Sequence, residues 1–84
     1  NIQVFRSEDA TTSGSLFKLC KEAKINNMLV EDVFAEKVNS IITGDEGTVG
    51  LLKADNVTLK DGKTFMNTDN ISIKTVLKNN INEI

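Results

Sequence analysis

The chain of 84 residues has no histidine, tryptophan, tyrosine or proline, and Cys20 is its only cysteine. Each absence removes a class of chemistry. Without histidine there is no Ser-His or Cys-His nucleophile pair and no imidazole to move protons near neutral pH. One cysteine and no histidine cannot assemble the usual Cys/His zinc combinations, and no intramolecular disulfide is possible. The fold must therefore stand on its hydrophobic core, and a chain this short builds only one modest core. No apolar run approaches the roughly 20 residues of a membrane span, and the N-terminus lacks the basic-then-apolar pattern of a signal peptide. These features predict a single domain over 1–84, in a cytoplasmic setting or within a viral particle, with no membrane partner.

Charge is also sparse in one respect. Ten basic and twelve acidic side chains leave a net charge of −2, so the basic footprint that draws proteins to nucleic acid is missing. Asparagine, isoleucine and lysine are frequent, as in AT-rich coding sequences, which suggests a phage or other mobile element as source. With only four aromatic residues, Phe5, Phe17, Phe34 and Phe65, all expected in the core, no ring is left over for base stacking.

What is present reads as α+β. Ile2-Gln3-Val4-Phe5 alternates weakly, like a short edge strand, and the small polar residues 7–15 read as a loop, so that 1–15 forms an arm or an edge strand plus loop. Leu16, Phe17, Leu19, Cys20 and Ala23 predict the apolar face of a first helix, with a buried Cys20 thiol. Val30, Val33, Phe34, Val38, Ile41 and Ile42 follow helical spacing and predict a second helix stopped by Gly44. Beyond it, Gly44, Gly47 and Gly50 punctuate a mobile acidic loop. Val57-Thr58-Leu59 and Thr64-Phe65-Met66 flank Lys60-Asp61-Gly62 and predict a hairpin of a small antiparallel sheet, with Gly62 left-handed and Val57 paired with Phe65. Residues 70–84 fit either a strand or a helix, and the favoured reading is a short strand over 70–73 followed by a helix. No internal repeat is visible.

Candidate sites are few. The glycine-rich stretch 44–50 lacks the Lys-Ser/Thr of a phosphate loop and the ligand spacing of a calcium loop. The adjacent acids Glu8-Asp9, Glu31-Asp32 and Asp45-Glu46 read as solvated charge. Asn56-Val57-Thr58 and Asn70-Ile71-Ser72 are formal glycosylation sequons. No catalytic, metal-binding or cofactor set emerges, so the expected function is non-catalytic: a protein-binding or assembly module without cofactor or small-molecule ligand. Its partner would be another protein chain or a second copy, with Ile81 and Ile84 in the tail as the contact residues.

Residues 19–34, Leu19-Cys20-Lys21-Glu22-Ala23-Lys24-Ile25-Asn26-Asn27-Met28-Leu29-Val30-Glu31-Asp32-Val33-Phe34, resemble the helix-turn-helix of bacterial and phage repressors. Cys20 stands at the small-residue position, Ile25 at the turn, and Val30 and Val33 at the apolar anchors. The resemblance implies a small, winged DNA-binding protein, with Lys24, Asn26, Asn27, Lys60 and Lys63 as the residues touching DNA. Lys24 replaces the usual turn glycine, and Glu31, Asp32 and Glu36 would face phosphates. DNA binding is therefore the alternative to the assembly reading.

Overall fold

The computed structural model describes residues 2–84; Asn1, the first residue of the expected arm, lies outside the described residues. Seven β-strands follow one another: β1 (Ile2–Val4), β2 (Ser15–Leu19), β3 (Ala23–Glu36), β4 (Ser40–Gly44), β5 (Gly47–Lys60), β6 (Thr64–Met66) and β7 (Ile71–Glu83). They form a four-stranded sheet in the order β1-β3-β5-β7 and a three-stranded sheet in the order β2-β4-β6. Every pairing is parallel.

The register shows why. Ala23 lies beside Gly47 and Gly47 beside Ile71, so one turn of the chain advances 24 residues and returns to the same place one strand spacing further on. The short strands obey the same advance, with Ser40 beside Thr64 and Ile42 beside Met66. The protein is a parallel β-solenoid, in which each coil contributes one long and one short strand and rests on its neighbour. A solenoid coil cannot bury its apolar face alone, and stacking makes the core continuous.

Several expectations are corrected here. No helix forms among the described residues, so the α+β class, the helix-turn-helix and the antiparallel hairpin are all overturned. The stretch expected as a first helix is β2, a corner at residues 20–22, and the start of β3. The stretch expected as a second helix is most of β3 with β4. The helical spacing of Val30, Val33, Val38, Ile41 and Ile42 has a physical origin. All five are buried, but a straight strand would place inward residues two apart. The backbone at Asp32 is left-handed (φ 56°), as it is at Asn56, one coil on (φ 56°). The paired register passes over both residues. Each bend flips the alternation once, giving inward steps of three beside steps of two, which imitate a helical stripe.

The hairpin fails for a related reason. β5 and β6 belong to different sheets, and residues 61–63 are the corner between them. Val57 pairs with Val33 and Ile81, not with Phe65. Asp61, not Gly62, carries the positive φ (55°). Gly62 is needed for space: a Cβ there would collide with the Val38 carbonyl oxygen and the Leu59 side chain. The expected mobile loop at 44–50 is instead the end of β4, a tight Asp45-Glu46 corner and the start of β5. The tail is strand over Ile71–Glu83, so no helix follows residue 73.

Apolar columns rise through the coils. Val49 and Leu52 lie between Ile25 and Ile73 and between Met28 and Val76, and Val57 lies between Val33 and Ile81. Ile41, Ile42, Leu52 and Val57 are fully buried. Cys20 sits exposed in the corner after β2, so the expected buried thiol is corrected. Of the four phenylalanines only Phe65 is buried; Phe5 is 68% exposed and stacks on the half-buried Phe34 with ring centroids 5.3 Å apart.

Candidate functional site

The bend of the long strands organises the most distinctive polar feature. Asp32, Asn56 and Asn80 occupy the same place in successive coils and share a left-handed backbone with φ of 56°. Asparagine and aspartate tolerate that conformation best among non-glycine residues, because their short polar side chains bond locally. Here the side chains bond upward and downward instead. Asn56 Nδ2 donates to Asp32 Oδ1 at 2.8 Å, and Asn80 Nδ2 donates to Asn56 Oδ1 at 3.1 Å. One position earlier, Asn79 Nδ2 donates to Asp55 Oδ1 at 3.0 Å.

The ladder has a direction, and Asp32 sets it. A carboxylate only accepts, so Asn56 must turn its NH2 toward Asp32 and its carbonyl oxygen away. Asn80 then repeats the orientation. Its own Oδ1 accepts from Asn82 Nδ2, within the same strand, at 3.2 Å.

The two ends of the stack differ. On the side of β3, β1 covers Val33–Ala35 of the edge, with Ile2 beside Val33 and Val4 beside Ala35. The connection over residues 5–14 is pinned to the adjoining corner. Lys37 Nζ donates to the carbonyls of Ser7 and Glu8 at 2.8 and 2.6 Å, and the Ser13 N–H donates to the Lys37 carbonyl at 3.1 Å. Thr12 Oγ1 donates to the Asp61 carbonyl at 3.0 Å, one coil further on.

On the far side, β7 is outermost and its outer edge has no strand partner among the described residues. Ile73, Val76 and Ile81 are only half-buried, although their column neighbours Val49, Leu52 and Val57 are buried. Two columns turn polar in the last coil. Lys78 stands over Ala54, and Glu83 stands over Leu59; both are exposed. The Glu83 carboxylate accepts the Phe65 N–H at 2.8 Å, while no comparable bond holds Lys78 among the described residues. Charges at inward columns of an edge strand discourage indiscriminate pairing.

Ile81 lies half-buried in β7, and Ile84 is 69% exposed just beyond it. Ile84 is held by its backbone, its N–H donating to the Leu59 carbonyl at 2.8 Å and its carbonyl accepting from the Asp61 N–H at 2.9 Å. The lysines and asparagines of the DNA-binding alternative do not converge. Lys24, Asn26 and Asn27 lie in the first part of β3, whereas Lys60 ends β5 and Lys63 follows in the corner. Glu36 sits beside Lys60 in the register. No helix forms among the described residues, so the helix-turn-helix is not there to carry them.

No group of His, Cys, Asp or Glu suited to a metal ion occurs among the described residues. The surface depressions are open. One is lined by Gln3, Asp32, Phe34, Asn56 and Thr58 along the ladder, and another by Glu22, Lys24, Glu46 and Asn70 at a corner. The Lys18–Asp45 ion pair, 3.4 Å long, is solvent-exposed and contributes little. No helix among the described residues is long and apolar enough to cross a membrane. No known protein family, curated protein or solved structure matches the chain.

The ladder is hidden when Glu31-Asp32 reads as solvated surface charge. The available signal was the period. Writing the chain in lines of 24 residues aligns Asp32, Asn56 and Asn80, and brings the apolar columns into register with them.

Proposed function

We propose that this chain is a non-catalytic protein-binding or assembly module that takes up a β-segment of another protein chain along the outer edge of β7. One observation carries this reading: in β7 the apolar residues Ile73, Val76 and Ile81 are half-buried in columns whose previous members are buried. An added strand would complete those columns and pair the backbone groups of the edge, which is the physics of β-augmentation. The opposite end of the stack is partly closed by β1, which makes the module one-sided.

The test is a titration of the isotope-labelled chain with a synthetic peptide of its own residues 47–60, followed by nuclear magnetic resonance. That peptide has the column pattern of a natural neighbour. The reading expects saturable shifts concentrated in residues 71–83, with slowed exchange of their amides. A titration that leaves β7 unchanged at millimolar peptide contradicts it.

A further inference from the structure

The edge of β7 also specifies what kind of strand it accepts; this inference rests on the edge-pairing reading and adds a chemical identity to the partner. We infer that the partner is a parallel β-segment carrying an asparagine at the bend and an acidic residue two positions before it.

The asparagine follows from the direction of the ladder. Asp32 forces Asn56, and Asn56 forces Asn80, to point their NH2 groups back toward β3. The face that Asn80 offers to a new strand is therefore its carbonyl oxygen, which among the described residues accepts only from Asn82. A side chain placed above it must donate. An asparagine does so and also tolerates the left-handed backbone shared by all three existing rungs. An aspartate there would set a carboxylate against a carbonyl oxygen, acceptor against acceptor.

The acid follows from Lys78. Its column holds Val30 and Ala54 in the earlier coils, both buried, and ends in an exposed ammonium. A third apolar residue above Lys78 would leave that charge facing a methyl group, whereas a carboxylate in that column pairs with it. Relative to the bend at Asn80, the half-buried Ile73, Val76 and Ile81 ask for apolar residues in their own columns.

A second copy of this chain fits this specification badly. Stacked head to tail, it would bring Asp32 over Asn80 and Val30 over Lys78. Its β1 would already occupy the places beside Val33–Ala35 that the end of β7 needs. The partner is therefore not a second copy, and this chain alone stays monomeric.

The experiment compares three peptides of sequence 47–60 on the intact chain by the same resonance titration: the unmodified sequence, one with Ala54→Glu, and one with Asn56→Asp. The Ala54→Glu peptide is expected to bind about threefold tighter at low salt, an advantage that fades at high salt as an exposed ion pair must. The Asn56→Asp peptide is expected to bind about tenfold weaker, because it removes a donor and adds a like-polarity contact. Sedimentation of the chain alone is expected to show a monomer across the micromolar range. Equal binding of all three peptides at β7 overturns the inference while leaving edge pairing standing. Binding of none overturns both. Head-to-tail oligomers of the unmodified chain overturn the exclusion of a second copy, and with it the specification.

Discussion

Replacing Asn56 separates the two jobs that the bend residue performs. Asn56 holds a left-handed backbone and forms two side-chain hydrogen bonds, one to Asp32 and one from Asn80. In Asn56→Gly the backbone is at ease but both bonds are lost. Each such bond is worth about 0.5–1.5 kcal/mol, and the lower end applies because the residues are exposed, so the loss is about 1 kcal/mol. In Asn56→Ala the same bonds are lost, and a Cβ must also be held in the left-handed region at a further cost of about 1 kcal/mol. Alanine is therefore expected to cost about 2 kcal/mol, a sizeable part of the roughly 5–15 kcal/mol that holds a typical domain together. Urea unfolding followed by far-UV circular dichroism reads both variants on one scale. The order wild type, glycine, alanine supports the ladder and the bend together. An alanine variant as stable as the glycine variant refutes the left-handed bend, and a glycine variant as stable as wild type refutes the ladder.

Leu52→Ala, which empties a fully buried position between Met28 and Val76, should cost about 2–5 kcal/mol in the same assay, whereas Phe34→Ala, which loses mainly its stack with Phe5, should cost about 1 kcal/mol. Gly62→Ala must push against the Val38 carbonyl and Leu59 and should cost about 1–3 kcal/mol; an unchanged urea midpoint would contradict the packing of that corner. Lys37→Met removes the ammonium that holds the Ser7 and Glu8 carbonyls, so limited proteolysis should cut within residues 7–13 several-fold faster while the coils stay intact. Cys20 should react with a thiol reagent in the folded protein as fast as in urea, and a strongly protected thiol would place it in the core after all.

Much of the core was legible in the sequence, but its architecture was not. Val33, Phe34, Val38 and Ile41 are expected to form one buried seam; Val33, Val38 and Ile41 are buried, whereas Phe34 is only half-buried. What misled was the period: the bends at Asp32 and Asn56 interrupt the two-residue alternation, and the surviving spacings of three imitate a helix. The same cause hid the repeat, because the 24-residue coils share types of residue rather than identities. Val, Val and Ile recur at 33, 57 and 81, while Phe, Thr and Asn occupy the next position in each coil. Glycine misled in the opposite sense. Gly44, Gly47 and Gly50 suggested mobility, yet a Cβ at Gly50 would lie 2.6 Å from the Asn26 carbonyl oxygen, so that glycine marks close stacking of coils. Of the candidate site, Ile81 is an expected contact residue and lies in the outermost strand. The edge, the ladder and Lys78 depend on which residues lie one coil apart, and that became visible only with the register.

Parallel coils that advance by 24 residues are tested directly by interstrand nuclear Overhauser effects. Parallel register places the backbone protons of Val49 close to those of Ile73, and the backbone protons of Val57 close to those of Ile81, in one and the same molecule. Observation of both sets of contacts is the predicted result. Contacts of Val49 with Ile81 and of Val57 with Ile73, or helical contacts three residues apart through 30–42, would contradict it.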